Sequence, residues 1–183
     1  MKTIVTCFAV MFLMTLPRII RADQLVPLTI EQLTEHSQLI IHGAVLSRSC
    51  QRDLAGRIYT KVELEVSDVW KGALTNRVFT VVHGGGILGD RKATVSNQVE
   101  FEIGEEIVAF LVVNWRGESL SLGLAQGKFH VWQDTATQQK FACNPFHGNP
   151  AAVANREVLH RPAGSGGSLT LAELKHRVSG GNR

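Results

Sequence analysis

Residues 57–72 (RIYTKVELEVSDVWKG) contain a regular alternation that limits what the chain can fold into. Isoleucine, threonine, valine and leucine occupy one parity, while tyrosine, lysine and glutamate occupy the other. A period of two is typical of a strand with one buried and one solvated face. A strand of this length usually bends to serve two sheets or to close a barrel, and the break at Ser67 and Asp68 indicates a bulge. We therefore predict the central curved strand of a small β-barrel.

The rest of the chain contributes further strands to a mainly β fold. Gly43 lies inside the first of them, where a glycine often marks a bend or a close backbone approach. Residues 107–113 are apolar without interruption, which is typical of a strand covered on both faces. Residues 84–97 begin with glycines and indicate a long surface loop. The predicted strands cover residues 38–48, 77–83, 99–103, 107–113, 119–124, 127–133 and 138–143.

Two short helices flank these strands. Thr29 and Gln32 have the spacing of a capping box, which predicts a helix that ends near Ser37. Thr170 and Glu173 repeat the pattern and predict an amphipathic helix at the C-terminal end. This second helix either docks on the barrel or offers its apolar stripe to a partner, and docking is the interpretation that we favour.

Residues 1–22 have the layout of a secretory signal peptide. A basic start precedes an uncharged apolar run at residues 4–16, and Ala22 provides a small residue before the expected cut. The run is shorter than the roughly 20 residues of a membrane-spanning helix. Arg18 and Arg21 are atypical between the run and the cut, so an uncleaved anchor stays open as an alternative. We expect an exported protein, periplasmic or extracellular, without stable membrane insertion.

Cleavage would change the charge balance. Three of the 19 basic residues, Lys2, Arg18 and Arg21, leave with the signal, so 16 basic residues stand against 16 acidic ones and the net charge is zero. The charge of the whole domain therefore gives no support for nucleic-acid binding. The predicted organisation is a signal peptide, a small β-barrel domain, a flexible Gly/Pro/Ala-rich linker, and a C-terminal helix with its tail, at residues 1–22, 23–147, 148–167 and 168–183.

The predicted mature chain holds two cysteines, Cys50 and Cys143. A pair of cysteines in an exported chain most often forms one disulfide, which is our expectation here. Two unpaired thiols are the alternative, because the sequence does not give the distance between them.

No catalytic constellation is visible. Residues 83–86 (HGGG) resemble the oxyanion loop of lipases and esterases, but the Gly-x-Ser-x-Gly turn that such a loop serves is missing. The seven histidines are scattered, and Cys143 with His147 supplies two of the four ligands that a structural zinc site needs. We predict a protein that is not an enzyme and that has no cofactor and no metal.

Four segments in order resemble the netrin-like, oligonucleotide/oligosaccharide-binding (OB) barrel of tissue inhibitors of metalloproteinases and their bacterial relatives. They are SQLIIHGAV, VSDVWKG, FEIGE and VAFL, at residues 37–45, 66–72, 101–105 and 108–111. The match spans residues 37–133. The resemblance implies a small OB-like barrel and a protein partner.

Two further segments, GRIYT at residues 56–60 and GLAQGKF at residues 123–129, are similar to a group of uncharacterised exported bacterial proteins. The inhibitors begin their mature chain with a zinc-ligating cysteine, whereas the predicted start here is Asp23 and no cysteine of the predicted mature chain precedes Cys50. They also tend to carry a cysteine where this chain has residues 97–100. Inhibition by zinc chelation therefore does not carry over.

Our first functional hypothesis is an exported, non-enzymatic module that binds another protein, with an extracellular protease as the partner class that the resemblance implies. The loop at residues 84–97 and the rim around the second tryptophan would form the contact surface. The candidate residues are Tyr59, Gly85, Gly86, Leu88, Arg91 and Trp115.

The alternative is a module that binds carbohydrate or a cell-envelope polymer through Tyr59, Trp115 and Trp132, because aromatic rings stack on sugars. A small hydrolase built on His83 or His130 is the least favoured hypothesis, since no base–nucleophile pair accompanies either histidine.

Overall fold

The computed structural model describes residues 26–148 and 168–180. The predicted signal peptide, and all but the first residue of the predicted linker, lie outside the described residues. No helix in the described part is long and apolar enough to cross a membrane. The elements are helix α1 (Ile30–His36), strands β1 (Leu39–Arg52), β2 (Ile58–Lys71), β3 (Val78–Gly84), β4 (Gly86–Leu88), β5 (Arg91–Ala93), β6 (Glu106–Val113), β7 (Ser119–Ser121), β8 (Lys128–Gln133) and β9 (Lys140–Cys143), a 3-10 turn (Leu124–Gly127), and helix α2 (Leu171–Gly180).

The mainly β class is confirmed, but the sheet is not closed into a barrel. Seven antiparallel strands have the order β3-β2-β1-β6-β8-β9, with β7 paired to the end of β6, and β4 and β5 form a separate hairpin. Closure fails for two local reasons. Strand β7 lies beside β3 but is only three residues long. The free edge of β9 is covered instead by the chain that enters α2, where Ala142 donates its N–H to the carbonyl of Leu169.

Residues 99–103 were predicted as a strand and are not one in the structure. Val99 and Phe101 are buried as the alternation indicated. However, Lys128 Nζ donates to the carbonyl of Glu100, and Arg48 donates to that of Phe101. Side-chain cations therefore occupy two carbonyls that a ladder would otherwise use.

The long strand of the sequence is β2, and its predicted bulge is confirmed. The register with β1 shifts where Ser67 is skipped, between the pairs His42–Asp68 and Gly43–Val66. The close approach expected at Gly43 is confirmed as well, because a Cβ there would lie 2.2 Å from the carbonyl oxygen of Glu65. The bulge bends β2, and the absence of a side chain at Gly43 lets β1 approach it closely, so the two strands can curve together.

Each face of the sheet carries a buried apolar cluster. On β6, Val108 and Phe110 point to the helices, while Ile107, Ala109 and Leu111 point to the opposite cluster. This arrangement confirms for residues 107–111 the prediction that the apolar run is covered on both faces, whereas Val112 is half-buried and Val113 is exposed. Coverage on both faces explains why the run shows no alternation.

Both predicted helix starts are present. Thr29 Oγ1 accepts from the N–H of Gln32 at 3.2 Å, and Gln32 Oε1 accepts from the N–H of Thr29 at 2.9 Å, which completes the capping box. Thr170 Oγ1 accepts from the N–H of Glu173 at 3.1 Å. Both caps satisfy backbone donors that a helix leaves unpaired at its start.

Helix α2 docks on the sheet. Its Leu174 and Val178 are fully buried beside Ile30 and Leu33 of α1 and Phe129 of β8. The apolar stripe that the sequence left open to a partner is thus used within the chain.

The predicted disulfide is wrong, because Cys50 and Cys143 are free thiols. Cys50 lies opposite Thr60 on β2, and Cys143 lies opposite His130 on β8. Strands β6 and β8 separate β1 from β9, so at about 4.8 Å per strand the two cysteine-bearing strands are about 14 Å apart along the sheet. A disulfide needs Cα atoms within about 7 Å. Burial raises the pKa of the Cys143 thiol to about 11.

Candidate functional site

Three connections define what we call the three-turn end of the sheet. They are the β1–β2 turn at residues 53–57, the β4–β5 hairpin at residues 85–93, and the β6–β7 turn at residues 114–118. The hairpin is attached to β2 by the N–H of Gly85, which donates to the carbonyl of Ile58 at 3.0 Å.

Arg57 joins the first turn to the third. Its guanidinium donates to both carboxylate oxygens of Glu118, at 2.6 and 3.3 Å, and to Asp53 Oδ2 at 2.9 Å. Arg116 adds a longer contact of 3.4 Å to the same Asp53 oxygen. The hydrogen bonds from Arg57 lower the pKa of both carboxyls, and the two carboxylates raise the pKa of Arg57. A forked, charge-assisted contact of this kind fixes geometry as well as charge.

The third turn is shaped by Asn114. Its Oδ1 accepts from the N–H of Arg116 at 2.8 Å and from the N–H of Glu118 at 3.0 Å, and its side-chain amide donates to Glu118 at 2.9 Å. An Asn side chain that mimics the backbone in this way is typical of a tight turn. The ordered turn presents Trp115, whose relative exposure is 86% and whose ring carries the Arg116 guanidinium at 4.5 Å.

Each of the three connections carries an exposed apolar side chain. Leu54 on the first turn is fully exposed, and Ile87 on the hairpin and Trp115 on the third turn are also exposed. Single exposed apolar residues are ordinary on a protein surface. Here two of the connections are ion-paired to each other and the hairpin starts beside the first, so the three exposed side chains mark this end as a candidate contact surface.

Of the predicted contact residues, Tyr59 belongs to the supporting frame. Its ring lies under the Arg57 guanidinium at 4.7 Å, and its hydroxyl donates to Gln51 Oε1 at 3.1 Å. The ring therefore steadies Arg57, which in turn holds the β6–β7 turn. Tyr59 lies at the three-turn end, but the Arg57 guanidinium already covers one face of its ring.

Gly85 and Gly86 let the hairpin cross over the inner side of β1 and β2. Thr60 Oγ1 donates to the carbonyl of Gly85 at 2.9 Å. A Cβ at Gly86 would lie 2.6 Å from Thr60 Oγ1 and 2.7 Å from Cys50 Sγ, and the φ of Gly86 is +135°. These two predicted contact residues therefore position the hairpin, and their own surface is not the exposed part.

The remaining predicted contact residues, Leu88 and Arg91, pair with each other across the hairpin tip. Leu88 is half-buried and Arg91 is exposed. The hairpin starts beside Ile58, next to the β1–β2 turn that Arg57 joins to the turn of Trp115, and the contact surface expected from the hairpin and that rim stays a prediction.

The sequence reasoning missed Leu54, Arg57 and Glu118. A signal for Leu54 was available, because an apolar residue within a D-L-A-G turn has no core to enter. Arg57 and Glu118 are 61 positions apart, so no local pattern announces their pairing.

Trp132 does not join the other proposed sugar-stacking residues. It lies on β8, where its ring stacks on His130 at 6.1 Å and on Phe141 at 5.7 Å between ring centroids. Those contacts cover aromatic surface that a sugar would need. The set of Tyr59, Trp115 and Trp132 therefore does not form one aromatic platform.

A second polar cluster lies on the turn before β6. Glu105 accepts from Lys128 Nζ at 2.6 Å and contacts His130 Nδ1 at 3.0 Å. Burial acts to raise the pKa of the Glu105 carboxyl, but the contacts with His130 and Lys128 more than offset it and the net pKa is lowered. Burial also lowers the pKa of Lys128. A buried pair whose members satisfy each other is a structural tie between this turn and β8.

His83, the other histidine of the hydrolase hypothesis, stacks on Phe101 at 6.0 Å, and its Nδ1 lies 2.9 Å from the carbonyl oxygen of Gly84. Burial lowers its pKa. Neither His83 nor His130 has a hydroxyl or thiol nucleophile among its hydrogen-bond partners in the described residues.

Within residues 26–148 and 168–180, no three His, Cys, Asp or Glu side chains converge as ligands of one metal ion would. Comparisons of the chain with protein-family models and with curated proteins find no match.

Proposed function

We propose that the protein is an exported, non-enzymatic binding module with an OB-like, netrin-like core, and that it binds another protein through the three-turn end. An extracellular protease is the partner class that the resemblance to metalloproteinase inhibitors implies. Zinc chelation is not part of the proposal, because the cysteine that performs it in the inhibitors has no counterpart in the predicted mature chain.

One observation carries the proposal: Trp115, 86% exposed, stands on a turn that Asn114, Arg57 and Glu118 hold in place. Tryptophan and arginine are enriched among the residues that dominate binding energy at protein interfaces. A tryptophan on an ordered turn loses little conformational freedom when a partner covers it, so more of its burial contributes to affinity. Leu54 on the neighbouring turn would extend the apolar centre, with the ion-paired frame as its polar surround.

The test compares captures by three immobilised versions of the protein. The wild type, the double variant Leu54→Ser/Trp115→Ser, and the control Ile103→Ser are each exposed to the extracellular fraction of the source organism. Ile103 is a matched control because it is also exposed but lies on the turn before β6, at the opposite end of that strand. Bound proteins are identified and quantified by mass spectrometry.

We expect a stoichiometric partner that the wild type and Ile103→Ser retain and the double variant loses. If the partner is a protease, an inhibition titration follows with the same three proteins. A partner that binds all three versions equally would show that the three-turn end is not the contact surface. Capture of glycan or polymer without a protein would contradict protein binding and favour the carbohydrate alternative.

The alternative in its original form, a platform of Tyr59, Trp115 and Trp132, gains no support from the geometry, since two of the three rings are stacked within the protein. Trp115 also has a guanidinium over one ring face, that of Arg116 at 4.5 Å, although its side chain stays 86% exposed.

A further inference from the structure

A cleft of about 330 Å³ lies between helix α2 and the helix-covered side of β1, β2 and β9, away from the three-turn end. Its volume is at the lower limit of small-molecule sites. Helix α2 is fixed over the sheet by buried Leu174 and Val178, so the cleft exists without a ligand to form it. The residues that matter for its chemistry are His42, Asp68, Trp70, Gln139, Lys140 and Lys175.

The two lysines have hydrogen-bonding capacity left over. Lys140 Nζ donates two of its three N–H groups to the Glu106 carboxylate, at 2.7 and 2.9 Å. Lys175 Nζ donates one to Asp68 Oδ2, at 2.6 Å. Among the described residues, one N–H of Lys140 and two of Lys175 have no protein acceptor, and both side chains line the cleft.

Acceptors are present beside these donors. Asp68 Oδ2 accepts from Lys175 and from Trp70 Nε1, the latter at 3.0 Å, whereas its Oδ1 has no partner in the part of the chain that the structure describes. The side-chain amide of Gln139 likewise has no hydrogen-bond partner among the described residues and can donate or accept. The rim therefore offers both donors and acceptors.

The charges of the cleft cancel in pairs. Lys140 is balanced by Glu106 and Lys175 by Asp68, so an anion would find little net attraction and a cation little repulsion. A neutral ligand that carries both donors and acceptors fits this rim better than an ion does. The cost of desolvating such a ligand is also far smaller than that of a charged one.

Trp70 supplies the apolar surface. Its indole N–H is already used by Asp68, and the His42 ring is tilted against it at 5.9 Å, so what it offers the cleft is ring carbon. His42 is itself fixed by Glu106 at 2.7 Å, which keeps the aromatic wall in place.

From this arrangement we propose that the cleft binds a neutral saccharide, with a C–H face of the sugar ring against Trp70 and hydroxyl groups bonded to Lys140, Lys175 and Asp68. A pyranose has one apolar face edged with hydroxyls that both donate and accept, which is the pattern that this wall and rim complement. The site is independent of the three-turn end, so a sugar and a protein partner would not compete for it.

The test is a titration followed by ¹H–¹⁵N NMR of the indole N–H resonances. The chain has three tryptophans, and Trp70→Phe assigns the resonance that reports on the cleft. The probes are methyl glycosides of glucose, galactose, mannose and N-acetylglucosamine with their common disaccharides, and sodium phosphate and sodium acetate serve as oxyanion probes. Lys175→Met removes two free donors, and Lys92→Met, on exposed β5, is the matched control.

We expect a saturable shift of the Trp70 resonance with at least one sugar, unchanged in Lys92→Met and weakened about tenfold or more in Lys175→Met, because hydrogen bonds from a charged group would be lost. Asp68→Asn should weaken binding too, and unchanged melting curves would show that the variants fold. Silence across the sugars overturns the proposal. A shift with phosphate or acetate alone also overturns it, since the cleft would then be an oxyanion site. If the sugar binds Lys175→Met with the same affinity as the wild type, Lys175 does not contact the sugar and the proposed hydrogen bonds are contradicted.

Discussion

The helix-covered side and the three-turn end of this protein use the same two kinds of contact in opposite places. Under the helices, apolar side chains such as Leu33 and Leu174 are fully buried and the ion pairs lie outside. The pair Arg177–Glu31 has side chains that are 36% and 54% exposed. At the three-turn end the apolar tips are exposed and the ion pairs lie further in, with Arg57 and Glu118 only 32% and 20% exposed.

If the three-turn end is the contact surface that we propose, this reversal separates stability from recognition. Burial of apolar area is the main source of folding free energy, roughly 25 cal/mol per Å², and the two buried clusters, one on each face of the sheet, supply it. The turns of the three-turn end bury little apolar area of their own. Directional hydrogen bonds and ion pairs hold them in place instead. An apolar tip such as Leu54 or Trp115 is then left available, and changing it should cost the fold little.

The largest expected effect tests this separation with one residue type. Leu174→Ala removes a fully buried side chain of the helix-side cluster and should lower the free energy of unfolding by about 2–5 kcal/mol. Leu54→Ala, on the exposed tip, should change it by less than about 0.5 kcal/mol. Urea denaturation followed by circular dichroism measures both. Equal losses would show that the β1–β2 turn is part of the core energetics.

The second effect concerns the hairpin that crosses β1 and β2. Gly86→Ala places a Cβ against Thr60 and Cys50 at a φ of +135° and should destabilise the protein by about 1–3 kcal/mol. Gly89→Ala is the matched control, because it also has a positive φ, of +61°, but no atom within 4 Å of the added Cβ. Thermal unfolding of the two variants compares a crowded glycine whose φ lies outside the left-handed α region with an open one inside it. A smaller loss in Gly86→Ala than in Gly89→Ala would mean that the hairpin does not pack as described.

The features of the fold that the sequence predicted correctly are those that depend on neighbouring residues. The alternation in residues 57–72 predicted β2 (Ile58–Lys71), and the capping pair Thr29 and Gln32 predicted α1, because strand period and helix caps are local. The open sheet was not predictable in that way. It depends on the backbone of Leu169 reaching β9 from the far side of the chain.

Two wrong predictions have the same physical origin. Residues 99–103 alternate as a strand does, but Arg48 and Lys128, from other strands, bind two of their carbonyls. Cys50 and Cys143 are a plausible pair by count, but the order of the strands between them keeps them apart. In both cases the sequence held the right residue types and only the topology could say which of them meet.

The sequence predicted that the loop with Gly85 and the rim of Trp115 would share a contact surface, and this stays a prediction. In the structure the loop starts beside Ile58, next to the β1–β2 turn that Arg57 joins to the turn of Trp115. The sequence could not show that the Arg57 guanidinium would lie over the ring of Tyr59. Nor could it show that Arg57 and Glu118 would hold the turns together, because these two residues are 61 positions apart.

The third effect is a pH dependence shared between the two regions. Burial lowers the pKa of His83, near the three-turn end, and of His147, which packs on Phe129 beside the helices. The unfolded chain therefore binds more protons than the folded one once the pH falls through about 6.5, and stability is lost from there down to the folded pKa values. The loss is below about 1.4 kcal/mol per pH unit for each histidine, and smaller still because both rings are partly solvated.

The measurement is the slope of the free energy of unfolding between about pH 7.5 and 5.5, above the range in which the carboxyls titrate. We expect His83→Gln and His147→Gln each to flatten the slope relative to the wild type. If only His147→Gln does so, the three-turn end contributes nothing to the acid sensitivity, and the burial of His83 against Phe101 is not maintained in solution. A steeper slope in either variant would reverse the sign of the argument for that histidine.

The smallest effect compares the two ion pairs directly. Double-mutant cycles on Arg57–Glu118 and Arg177–Glu31, with Met for arginine and Gln for glutamate, measure the coupling free energy of each pair. In the first pair two nitrogens of Arg57 reach two carboxylate oxygens, whereas in the second both contacts of Arg177 go to one oxygen of an exposed Glu31. We expect a coupling of up to about 1 kcal/mol for the first pair and about 0.3 kcal/mol or less for the second.

Added salt gives the control, since raising the ionic strength should reduce the exposed pair more than the better covered one. Equal couplings would mean that the contact between Arg57 and Glu118 is no more ordered than an ordinary surface pair. The turn that presents Trp115 would then lack the rigid support that its proposed role in binding requires, and the protein-binding proposal would lose its physical basis even though every residue of the contact surface remained in place.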